Sequence, residues 1–383
     1  EDFGGKMIDP KCEIFKWGPI DGQVIYIDTF TYGFELYPKF IDGTWPDIIG
    51  YFKDEKITFI CDYEALRDEG EYLFTKFVMD KKKLKDHFAN WQKSADDLLG
   101  YVDKQIDGFD DEQLAKLIDE FIGKYNKFWL WGFLPELANW GGERIVKKMV
   151  MESHPENFLK IFEKICSPED LSFFQKEERE FLKIKLIEDK DSKDAAIKQH
   201  QKNYFWLRNS YGGTKVLDEK YFRDELKKIS VKEANEKLRA VDDYMTKSTE
   251  EKNKLIEKYN LSDDLVYKGN NVGFCVWWQD LRKKYIFIAC HIITQFLDEI
   301  SKRKDISYDD LKFYREIELL DLLREGKVLD LSKRKVGYVL NYPRKGEIEK
   351  IEGEAANDFV KPYLDLKIDE KIEEINGLAV SKG

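Results

Sequence analysis

The sequence predicts a mainly α protein: a multi-helix domain with a small N-terminal α+β domain and a short C-terminal β-containing linker. Three observations predict it. Apolar residues recur at three- and four-residue steps through most of residues 81–326. Short β-branched and aromatic runs, bounded by Gly, Asp and Pro, occupy residues 1–80. A second strand-like pattern fills residues 327–372, after the helical rhythm stops. Residues 373–383 are expected to open a further domain that is cut short.

In chain order, "GQVIYIDTFTYGF" (22–34) and "EKITFICDY" (55–63) are expected as strands, and "GEYLFTKFVMD" (70–80) as a third. "DDEQLAKLIDEFIGKYNKF" is expected as a helix. Asp110 or Asp111 would cap it, and Leu114, Leu117, Ile118, Phe121, Ile122 and Tyr125 would form its apolar stripe. The next helix pair is expected to begin near Pro168, a residue suited to a first helical turn. Two further helices follow in "DEKYFRDELKKIS" and "VKEANEKLRAVDDYMTKSTEEKNKLIEKYN". From Val272 to Lys302, residues Phe274, Trp278, Leu281, Tyr285, Ile288, Ile292, Phe296 and Ile300 mark a helix of roughly 45 Å. "EIELLDLLREG" is a last helix with Gly326 as its C-cap, and "KVGYVLNYPRKGEIEKIEGEAANDFV" has strand-turn-strand character.

Composition narrows the function. Of the 383 residues, 42% are hydrophobic and 14% aromatic, which is ample for a core. A net charge of −11 argues against a broad nucleic-acid surface, which needs clustered Lys and Arg. The five cysteines form no C-x-x-C pair and read as reduced thiols, so a cytoplasmic location is expected. The longest apolar segment, Tyr285 to Leu297, is too short to span a bilayer, and no membrane partner is expected.

Familiar catalytic motifs are missing. No H-E-x-x-H, Walker A loop, G-x-G-x-x-G after a strand, or G-x-S-x-G elbow occurs. The Gly-Gly of "YGGTKV" reads as a helix C-cap. No catalytic residue and no metal ligand is expected. Three aromatic-rich stretches remain as binding candidates. "HQKNYFWLRNSYGG" (200–213), taken as one helix, carries large side chains all round. It is therefore either a core helix with paired polar tips or a pocket wall. In the second case Arg208 would offer a planar fork to phosphate or carboxylate, and Tyr204 or Trp206 would stack on a flat ligand, beside Asn209 and Tyr211. "CVWWQDLRKKY" poses the same choice for Trp277 and Arg282, where a core helix with a basic solvated face is the plainer expectation. "KFWLWGFLPELANWGGER" gathers Trp129, Trp131 and Trp140 around Pro135, as a helix corner or an aromatic site.

Four segments, in this order and spacing, carry a resemblance. They are "HQKNYFWLRNSYGGTKVL", "DLRKKYIFIACHIITQFLDEISKRKDISYDDLKFYREIELLDLL", "LSKRKVGYVL" and "EINGLAVSKG". Over residues 195–383 they resemble the central helical region of PEP-utilising dikinase-type phosphotransferases, the group of phosphoenolpyruvate synthase, pyruvate phosphate dikinase and rifampin phosphotransferase. In the last segment Gly377, Ser381 and Gly383 match the opening of the swivelling phosphohistidine domain, while Val380 departs from the usual Ala. The resemblance implies a parent that moves phosphoryl groups from ATP or phosphoenolpyruvate, with Mg, through a histidine on the swivelling domain. No histidine here sits in the family's Ser/Thr-rich turn, so this chain is expected to need no cofactor and to be inactive alone. It would act as the acceptor-binding or scaffold module, with a small-molecule acceptor and the swivelling domain as partners. The alternative is a non-catalytic binding or regulatory protein that retains the helical module.

Overall fold

A computed structural model describes residues 8–31, 45–343 and 347–364. The protein is mainly helical with one five-stranded antiparallel sheet. Strand β1 (Ile14–Asp21) is followed by helix α1 (residues 24–31), strands β2 (Ile48–Lys53) and β3 (Lys56–Asp62), and helix α2 (Tyr63–Leu73), which runs into a π-helical turn at Phe74–Val78. The helical body comprises α3 (Lys81–Leu99), α4 (Asp111–Gly132), α5 (Leu134–Ser153), α6 (Phe158–Ile165), α7 (Phe173–Lys185), α8 (Lys190–Tyr204), α9 (Glu219–Lys227), α10 (Val231–Tyr259), α11 (Asp263–Lys304), α12 (Tyr308–Leu311) and α13 (Glu316–Glu325). The described chain closes with β4 (Tyr338–Tyr342), β5 (Glu349–Glu352) and α14 (Glu354–Leu364).

The sheet order is β1-β3-β2-β4-β5. Gly50 of β2 pairs with Phe59 of β3 on one side and with Leu340 of β4 on the other. The 1–80 and 327–372 segments, separate in the sequence pattern, therefore share one hydrogen-bonded sheet. Alternation splits the strands between two layers. Ile49, Tyr51, Ile60 and Val339 face Ala356, Val360 and Tyr363 of α14. Ile48, Phe52, Ile57, Phe59, Tyr338 and Leu340 face the main helical core.

Several expected elements form as predicted. Residues 56–62 are a strand, and Asp110 caps α4 through a reciprocal capping box with Gln113. The predicted stripe of α4 is buried. Gly326 ends α13 in the left-handed conformation, φ 69°. Helix α11 is longer than expected, at 42 residues or roughly 63 Å.

Other expectations are corrected. The 22–34 run is helical over residues 24–31, with 32–34 outside the described residues. All of residues 22–31 are buried, so no polar face imposes a helical period, and packing overrides β-branched propensity. The 70–80 segment is helical too, through Val78. A Cβ on Gly70 would lie 2.2 Å from the Leu137 carbonyl oxygen, and one on Gly141 would lie 2.0 Å from Gly70 backbone carbon, so α2 and α5 cross at backbone contact. Helix α7 begins at Phe173, capped by Ser172 and Gln175, several residues beyond Pro168. In the C-terminal pattern, "EAANDFV" belongs to α14 rather than to a strand. The "EINGLAVSKG" segment lies outside the described residues.

The crossing yields a paired prediction. Gly141→Ala, which forces two backbones apart, should cost roughly 3 kcal/mol or more in urea denaturation. Gly123→Ala has nothing within 4 Å of the new methyl and sits inside α4, so it should stabilise by up to about 1 kcal/mol.

Candidate functional site

The connection from α4 to α5 builds the site. Proline at 135 has no N–H to give the Trp131 carbonyl, the partner four residues back. The Glu136 N–H turns to the Phe133 carbonyl at 3.1 Å, so the Gly132 carbonyl also lacks its helical partner. Side chains from other helices fill both vacancies. His87 of α3 donates Nε2–H to Trp131 O at 2.8 Å, and Arg282 of α11 donates Nη1–H to Gly132 O. Gln279 of α11 donates to the Pro135 carbonyl at 2.8 Å.

Arg282 is 4% exposed. A guanidinium so deep requires a counter-charge, and Glu136 supplies one through Nη2. The guanidinium also lies 5.2 Å from the Trp129 ring centroid, where the ring's negative face favours it. His87 packs edge-on against Trp131 and Trp278. Burial drives its pKa down to about 4, against the favourable pull of the Trp131 carbonyl, so the ring is neutral at physiological pH.

Beside this network lies a cleft of about 460 Å³. Trp17, Trp277, Gln279, Arg282 and Lys283 contribute to its wall, with Ser172 and Gln175 from the first turn of α7. Trp277 is half-buried, donating its indole N–H to Leu171 O at 3.3 Å, and Lys176 stands 5.5 Å from its ring centroid. Asp280 accepts the Phe173 N–H at 3.2 Å and ties α7 to α11. An aromatic plate, an ammonium and two amides thus line the opening, together with the carboxylates of Asp170 and Asp280. Such a site can sandwich a flat ligand and hydrogen-bond its rim.

The seven residues singled out from sequence divide into two groups. Trp277 and Arg282 come together on this cleft, and Arg282 is buried where a solvated basic face was expected. The other five lie elsewhere, because residues 200–213 do not form one helix. Helix α8 ends at Tyr204, and residues 205–213 turn back so that Leu217 N–H bonds Phe205 O at 2.9 Å. The fully buried Trp206 donates its indole N–H to Asn203 O at 2.8 Å, covering a carbonyl at the helix end. Asn209 clamps the turn, giving Nδ2–H to Phe287 O and accepting the Lys215 N–H. Tyr211 rests edge-on against Tyr26, and burial raises its hydroxyl pKa. Tyr204 lies tilted against His200, with ring centroids 4.6 Å apart, and the exposed Arg208 lies 4.9 Å from the Tyr221 ring centroid. The Gly212-Gly213 pair belongs to this turn and is not a helix C-cap.

Among the cleft residues that the sequence did not announce are Trp17, Glu136, Gln175, Gln279 and Lys283. Glu136 and Arg282 are 146 positions apart, and no local pattern links them. The one signal was Pro135 inside a helical run.

Among the described residues no helix is long and apolar enough to cross a membrane, and no group of three His, Cys, Asp or Glu is placed to hold a metal. All five cysteines are free thiols. Comparison with known proteins finds no match to a family model, a curated protein or a solved structure.

His87 gives the site a pH signature. Its folded pKa of about 4 lies below the ordinary 6.5, so the unfolded chain binds the extra proton first. Stability is therefore complete above about pH 6.5 and is lost as pH falls toward 4. Between pH 7 and 4.5 this one group should remove about 2 kcal/mol. His87→Gln keeps a donor for Trp131 O and should recover that loss in urea denaturation at the two pH values. An unchanged loss would contradict the assignment.

Proposed function

We propose that this chain is the helical acceptor-binding module of a dikinase-like phosphotransferase, and that the Trp277–Arg282 cleft seats the acceptor. The observation that carries the proposal is the cleft itself. Two residues singled out from sequence wall one opening, with a second tryptophan, two glutamine amides and a lysine ammonium around it. That chemistry suits a flat, oxygen-bearing small molecule. Trp277 and Trp17 would cover its face, Lys283 and Gln175 would meet its oxygens, and the Glu136–Arg282 pair would hold α5 and α11 at fixed spacing. The order and spacing of the four segments in residues 195–383 support the family reading. The phosphoryl group would arrive on the histidine of a swivelling domain. Mg with ATP or phosphoenolpyruvate would act on other domains of the parent, and no step through them is assigned to this chain.

The test uses the full product of the gene, incubated with Mg and with γ-labelled ATP or labelled phosphoenolpyruvate. The expected result is an acid-labile, base-stable label on histidine. Hydroxylated aromatic compounds should then discharge it. Trp277→Ala should leave the labelling intact and slow the discharge at least tenfold, about 1.4 kcal/mol of binding energy. Absence of label with either donor would overturn the phosphotransferase reading and leave a non-catalytic binding module.

A further inference from the structure

A larger opening, of about 790 Å³, lies between α6 and α10 and adjoins the Trp277 cleft. Tyr244 of α10 lines both openings. Consecutive residues divide another part of the wall, Ser167 lining the larger opening and Pro168 the smaller. The two are therefore parts of one groove, meeting at the Tyr244 side chain and the Ser167-Pro168 step. From Tyr244 to Lys258, α10 carries the larger part along fourteen residues, roughly 21 Å.

The larger part has an apolar strip and a basic rim. Leu255 is buried in it, while Leu159 and Tyr244 are 57% and 51% exposed. Apolar side chains gathered in one groove and rimmed by polar groups mark a binding surface. On the rim, Lys160, Lys164, Lys254 and Lys258 stand with Glu163 and Glu251, in a chain whose net charge is −11. Glu251 is taken by Lys164 at 2.7 Å, and Lys254 reaches Glu250 only at 3.9 Å. Lys160 and Lys258 have no carboxylate in ion-pair range among the described residues. Against them stands one unpaired acid of the rim, Glu163.

We infer that the joined groove binds an elongated amphiphile with an aromatic head and an anionic end. The head lies with Trp17 and Trp277, the chain passes Tyr244 onto Leu159 and Leu255, and the anion meets Lys160 and Lys258. This deepens the function proposed above and rests on it, because it takes the Trp277 cleft as the seat of the acceptor's head. The direction of the ligand follows from the walls. Asp170 and Asp280 line the smaller part, so the anion belongs at the other end, where lysines outnumber acids. These lysines are exposed, so salt screens their attraction, and the apolar chain supplies most of the added affinity.

Titration calorimetry on the full chain tests this with three compounds. They are 2-naphthol, 2-naphthol bearing a twelve-carbon chain that ends in a carboxylate, and the methyl ester of that acid. The expected result is one site per chain for each. The tailed acid should bind at least about tenfold tighter than 2-naphthol. It should bind about threefold tighter than its ester, a margin that shrinks as salt is raised. Lys160→Glu with Lys258→Glu should erase the margin between acid and ester and leave 2-naphthol unchanged. Leu159→Ser, at an exposed position, should weaken both tailed compounds and spare 2-naphthol. A tailed acid no tighter than 2-naphthol, or a margin over the ester indifferent to the two lysine substitutions, would overturn the inference and leave the Trp277 seat standing. No binding of 2-naphthol would overturn that seat, and the inference with it.

Discussion

Pro135 is the constraint on which the centre of the molecule depends. A proline four residues after Trp131 removes one helical hydrogen bond, and the kink that follows removes a second. Two main-chain carbonyls are left facing the interior, where water cannot serve them. The fold answers with a neutral histidine from α3 and an arginine from α11. A cation at that place is also favoured by the negative end of the α4 dipole. Once the guanidinium is inside, it demands a carboxylate, and Glu136 sits one residue past the proline. Four helices are thereby tied at one point.

The cleft follows from that joint. Arg282 is drawn inward, so its neighbours on α11 are held at a fixed orientation. Gln279 meets the Pro135 carbonyl, Trp277 stands against the start of α7, and Lys283 remains at the solvent edge. Around the joint, tryptophans 91, 129 and 278 are almost completely buried and meet one another or Phe128 edge-on and tilted. Rings in such contacts resist small rearrangements. Rigid packing behind a polar rim is what a recognition site needs.

Much of the helical body could be read from sequence, because amphipathic helices announce themselves. The α4 stripe, its Asp110 cap and the Gly326 terminator are local signals and appear where expected. What failed was non-local. Helix α1 is buried on every side, so it has no periodicity to detect. The β2–β3 hairpin turns on Asp54 and Glu55, both with φ above 50°, without the Asn-Gly that usually marks such a turn. The pairing of β2 with β4 joins residues almost 300 positions apart. The first part of α11, residues 263–271, lay outside the expected helix, and Gly269 and Gly273 fall on either side of that expected start. They are there so that α6 and its following turn can approach, a Cβ on Gly273 lying 2.7 Å from the Ser167 carbonyl oxygen. At the site, the aromatic character of Trp277 was visible. The burial of Arg282 was not, since its cause is a carbonyl 150 residues away.

The most direct test of this account is a double-mutant cycle on Arg282 and Glu136. Arg282→Met alone strands a buried carboxylate and the Gly132 carbonyl, and should cost about 3–5 kcal/mol in urea denaturation. Adding Glu136→Gln should restore a good part of that, giving a coupling of about 2 kcal/mol or more. Small, additive costs for the two substitutions would show that the joint at Pro135 does not depend on this pair, and would contradict the account.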